Sequence, residues 1–106
     1  MIDPDKIYTH IMQAAKEWVE ADEEARKLSA MEKIVLAEIT NQQVAESMAE
    51  RKSLAIASPE YKLHVTNMVA AKTKANATLA RYKAAQNLAE LRRSEESSRR
   101  AEMNIR

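Results

Sequence analysis

The chain contains no glycine, no cysteine and no phenylalanine, and only two prolines, Pro4 and Pro59. Without glycine, positive φ is costly at every position, which excludes tight two-residue hairpin turns, phosphate-cradling loops and glycine-rich nucleotide fingerprints. Without cysteine there is no disulfide framework, no thiolate zinc site and no cysteine nucleophile. Aromatic residues make up only 4% of the chain, which leaves little surface for stacking bases. The longest purely apolar run, Ile34-Val35-Leu36-Ala37, falls far short of the ~20 residues that span a bilayer. The start, Met1-Ile2-Asp3-Pro4-Asp5, lacks the basic region and apolar run of a secretory signal. These absences predict a soluble cytoplasmic protein with no membrane association.

What remains is helix-forming. The 106 residues allow one domain, and 45% apolar with 31% charged residues is neither a disordered tail nor a membrane span. Nineteen residues are alanine, against seven isoleucines, seven leucines and five valines. Alanine has the best helix propensity and lets helices approach closely, but it buries little area. At roughly 25 cal/mol per Å² of buried apolar area, a two-helix core of this kind is thin against the entropy of the chain. Self-association is the usual remedy in a small scaffold, so the composition predicts a homo-oligomer, most simply a dimer.

Two helix starts share one grammar. Asp3-Pro4-Asp5 and Ser58-Pro59-Glu60 each place an N-cap acceptor, a proline at the first helical position and a carboxylate in the first turn. The first arm carries apolar residues at Ile7, Ile11, Ala14, Trp18, Ala21, Ala25, Leu28, Met31, Val35 and Ile39, at spacings of three or four. Thr40 with Gln43 has the form of a capping box, which predicts a break there. The short helix after it would bury Val44, Ala45, Met48 and Ala49. Ser29 with Glu32 has the same form, but the stripe runs through it and Ser29 is read as mid-helix. The second arm carries Tyr61, Val65, Met68, Ala71, Ala75, Leu79, Tyr82, Ala85, Leu88 or Ala89, and Leu91. Beyond Leu91 the apolar face fades. The predicted fold is all-α, an elongated, coiled-coil-like antiparallel hairpin forming a single domain over residues 1–106. Its arms cover about 4–40 and 59–103, with a short helix over about 42–54 near the turn.

Charge separates the arms. Residues 1–57 carry 7 Lys and Arg against 11 Asp and Glu, and residues 58–106 carry 10 against 5. A fold-back near residue 57 would set Asp22 near Arg92 and Glu20 near Ser94, so the acidic and basic clusters would fix orientation and register.

Groups that carry chemistry are sparse. His10 and His64 are the only histidines; Glu60 lies one turn before His64, while Ile7 and Tyr61 stand where a di-iron Glu-x-x-His spacing needs glutamate. His64 is therefore read as a surface histidine at a helix start. Glu17, Glu20 and Glu24 form a carboxylate row that reads as a solvated face. No catalytic triad, nucleotide loop or zinc spacing appears, so the expectation is a non-catalytic protein with no metal and no cofactor. Arg92 with Arg99, and Arg93 with Arg100, are each seven apart and would align along a continuing helix, as a phosphate-following surface requires. Glu95 and Glu96 interrupt that surface, so nucleic-acid binding ranks behind pairing within the chain. Trp18, Leu28, Val35, Ile39, Leu79, Tyr82 and Leu88 are the candidate oligomer core.

The second half, from Ala57-Ser58-Pro59-Glu60-Tyr61 through Ala71, Ala75, Asn76, Arg81 and Tyr82 to Arg99-Arg100-Ala101-Glu102-Met103, resembles short helical proteins encoded by bacterial phages and prophages. The resemblance implies a phage-related origin and a bacterial host cytoplasm, with no established activity to carry over. The combined expectation is a self-associating helical protein that docks on an unidentified protein partner. A nucleic-acid accessory factor using the arginine-rich end is the alternative.

Overall fold

The computed structural model describes residues 4–105, all of which lie in three α-helices or their connections. Helix α1 spans Pro4–Gln42, α2 spans Met48–Ile56 and α3 spans Pro59–Ile105. The protein is all-α, an antiparallel hairpin of two long helices joined through a short one. Its 39 and 47 residues make α1 and α3 roughly 58 and 70 Å long at 1.5 Å per residue. The expected N-cap Asp3 lies outside the described residues.

The chain falls into two compact units, and α1 and α3 contribute to both. The terminal unit takes the described residues up to Val19 and those from Asn76 onward. The turn unit takes Glu20–Ala75, including α2.

Each long helix buries a seam with a strict seven-residue repeat. In α1 the least exposed residues include Ile7, Ile11, Ala14, Trp18, Ala21, Ala25, Leu28, Glu32, Val35 and Ile39. In α3 they include Tyr61, His64, Met68, Ala71, Ala75, Thr78, Tyr82, Ala85, Ala89 and Arg92. Alternating steps of three and four, kept over five heptads, are the pattern of a left-handed coiled coil. This corrects the sequence stripes where a polar residue holds the phase. Glu32, not Met31, continues the α1 seam, Thr78 and Arg92 hold the α3 seam beside Leu79 and the more exposed Leu91, and of the alternatives Leu88 and Ala89 it is Ala89 that lies on it. The helical period decides position, and hydrophobicity does not outvote it.

The chain turns without glycine, and no described residue has positive φ. Thr40 does not begin a new helix; it lies within α1 and its hydroxyl donates to the Leu36 carbonyl at 2.6 Å. Gln43 then closes α1, its backbone N–H on the Thr40 carbonyl at 3.1 Å and its side chain on the Ile39 carbonyl at 3.1 Å. The true cap of α2 is Ser47, whose Oγ accepts from the Glu50 N–H at 3.1 Å. Because α2 starts later than expected, its face is rotated. Val44 is 97% exposed and Met48 is exposed, while Ala55 is the buried residue of α2. Arg51 Nε donates to the Ala45 carbonyl at 2.8 Å and holds the connection. Ser58 caps α3 as the sequence grammar requires, accepting from the Tyr61 N–H at 3.2 Å and donating to the Ala55 carbonyl at 2.6 Å.

Since residues 43–58 form the corner, the register differs from that of a sharp fold-back near residue 57. Glu17 lies against Arg81, and Asp22 pairs with Arg26 of its own helix at 2.9 Å rather than with Arg92.

Candidate interaction surfaces

In the terminal unit the seam is closed by an aromatic stack. Trp18 and Tyr82 lie with ring centroids 5.7 Å apart and planes at 20°, a parallel arrangement of the kind aromatic pairs favour when offset. Ala14 and Ala85 are buried on the same seam and leave room for the two large rings. Glu17 and Arg81, each one residue before a stacking partner, approach to 4.0 Å at the surface. That contact shows which flank is which: in the terminal unit the positions preceding the seam residues of both helices share one side.

Two apolar strips follow. On α1, Tyr8, Met12, Ala15 and Val19 each follow a seam residue by one position. Tyr8, Met12 and Val19 are 66%, 52% and 53% exposed. On α3, Ala84, Leu88 and Leu91 each precede a seam residue by one, with Leu88 43% exposed. By the Glu17–Arg81 contact, the α3 strip lies on one side of the terminal unit and the α1 strip on the other. A helix apolar over seam and flank together presents a face wider than one neighbouring helix covers.

The candidate core residues divide accordingly. Ile39 is buried in the chain's own seam, Trp18 and Tyr82 stack on each other, and Leu28, Val35 and Leu79 are half-buried. Among them only Leu88 is exposed. The α1 strip has a signal in the sequence that the main stripe masks: the same three-and-four spacing, displaced by one residue.

In the turn unit the two long helices are joined by side-chain hydrogen bonds. Tyr61 O–H donates to Glu32 Oε1 at 3.0 Å, and His64 Nε2 lies 3.0 Å from the Leu28 carbonyl. A carbonyl only accepts, so Nε2 carries the proton. His64 is thus a half-buried seam residue, not a surface one. The hydrogen bond to Glu32 raises the Tyr61 pKa above its ordinary 10.0, helped by burial and the carboxylate charge. A groove of roughly 590 Å³ lies between α1 and α2, with Leu36, Ala37 and Met48 on its walls and Lys33 and Lys52 among its polar groups.

The arginine-rich end is helical throughout, because α3 continues to Ile105. Arg93, Arg99 and Arg100 are exposed, whereas Arg92 is half-buried and its Nε has no hydrogen-bond partner among the described residues. Glu17, Glu20 and Glu24 are exposed, with Glu17 accepting from the Gln13 amide at 3.2 Å. Among the described residues no three or more His, Asp or Glu side chains are grouped to hold a metal, and no helix is long and apolar enough to cross a membrane. Comparisons with protein-family models, with curated proteins and with solved structures find no match.

Proposed function

We propose that the protein is a non-catalytic helical interaction module that self-associates through the α1 strip and docks on a protein partner. The observation that carries this is the strip Tyr8, Met12, Ala15 and Val19, regular in spacing and left open beside a seam that α3 already fills. Its greater length, and Tyr8 and Met12 within it, suit the more permanent contact, a second copy; the strip at Leu88 and Leu91, on the other side, suits the partner. The resemblance of the second half to phage-encoded helical proteins supports a phage-related setting. Light scattering over a range of concentrations tests the self-association. The native chain is expected to be a dimer, and Met12→Glu with Val19→Glu to be a monomer of unchanged helicity. Leu88→Glu with Leu91→Glu is expected to remain dimeric. A native monomer at every concentration, or a dimer indifferent to the α1 changes, overturns the assignment.

A second use of the molecule rests on the continuous helix through Arg93, Arg99 and Arg100, which keeps Arg93 and Arg100 two turns apart along one face. A nucleic-acid role requires binding to single- or double-stranded DNA that weakens steeply with salt; no binding at low salt removes it.

A further inference from the structure

We propose that the polar layer of Glu32, Tyr61 and His64 is a register latch, selecting which heptad of α3 lies against which heptad of α1 in the turn unit. A seam with a strict seven-residue repeat is degenerate, because a slide of one heptad places every seam residue on another seam position. The remaining turn-unit seam does little to break that degeneracy. Ala21, Ala25, Ala71 and Ala75 interchange without steric penalty, Met68 adapts to whatever faces it, and Leu28, Val35 and Ile39 pack through side chains that make no directional bond.

The three polar residues do not interchange. In the observed register Glu32 accepts from the Tyr61 hydroxyl and His64 donates to the Leu28 carbonyl. Moving α3 by one heptad puts Met68 where Tyr61 stands and Ala71 where His64 stands, and neither offers a donor. The half-buried carboxylate would lose its partner, a cost that only the observed register avoids. Polar groups on a coiled-coil seam commonly specify register at some expense in stability. The rival is the connection itself, since residues 43–58 would have to absorb a slide of roughly 10 Å.

Distance measurement between spin labels separates the two. The chain has no cysteine, so Ala30→Cys and Asn67→Cys, both exposed and one on each long helix, carry the only labels. The doubly labelled chain is expected to give a single narrow distance. In the same background, Glu32→Leu with Tyr61→Phe and His64→Leu fills the seam with apolar groups. This variant is expected to stay helical and melt no lower, yet to show about tenfold or more of a second distance population, the factor that follows from losing about one hydrogen bond's discrimination. One unchanged distance in the folded variant shows that the connection sets the register and overturns the latch. Loss of helical signal overturns it as well, because the layer would then be support and not selection.

Discussion

The two units of this hairpin hold the same pair of helices together by different means. In the terminal unit the cross-helix contacts include an aromatic stack and a surface ion pair, set among buried alanines. In the turn unit they include hydrogen bonds from Tyr61 and His64, and the corner beside them is pinned by the Ser47 and Ser58 caps. Apolar contact is strong and indifferent to exact partner; hydrogen bonding adds less net stability but discriminates between partners. An alanine-rich coiled coil needs both, because small side chains alone supply neither much buried area nor a unique alignment.

The comparison is most severely tested at Trp18. Trp18→Ala removes the larger ring of the stack, and about 3 kcal/mol of stability should be lost in chemical denaturation, the lower end for a large aromatic because the ring is half-buried. Ser58→Ala comes next. It removes an N-cap acceptor and a second hydrogen bond at a buried site, and should cost about 1–2 kcal/mol by the same measurement. Tyr61→Phe should cost less than Ser58→Ala, and it carries a pH signature. The folded-state pKa of Tyr61 is raised, so the contribution is complete below pH 10.0 and is lost as pH rises through the higher folded value. Ultraviolet titration of a chain with Tyr8→Phe and Tyr82→Phe should therefore show the remaining phenol ionising above its usual range, and Glu32→Ala should bring it back. Arg81→Gln marks the other extreme: a 4.0 Å pair between exposed groups should contribute at most about 0.5 kcal/mol, read as a barely moved denaturation midpoint.

Most of the architecture is legible in the residues. Proline after serine announced the start of α3, and the spacing of Ile7 through Leu28 drew most of the first seam. The errors have one physical origin, that hydrophobicity is a poor guide where a seam admits polar groups. Spacing favours Met31 over Glu32 and places His64 at the surface, because the partners of these polar residues lie 29 and 36 residues away and sequence spacing cannot show them. The corner lies later than the spacing predicts for a related reason. Thr40 and Gln43 imitate a cap, and only the competing hydrogen bond from Thr40 to Leu36 reveals that α1 has not yet ended. The α1 strip at Tyr8, Met12 and Val19 was present in the pattern but hidden beside a stronger one.

A reversal of direction made without glycine has a mechanical consequence. Flexible loops let paired rods swing and forgive insertions; this corner is instead a run of short helix locked at Ser47, Arg51 and Ser58. Such a corner should act as a bracket, stiff in ordinary fluctuation and giving way as a whole once a fastening is removed.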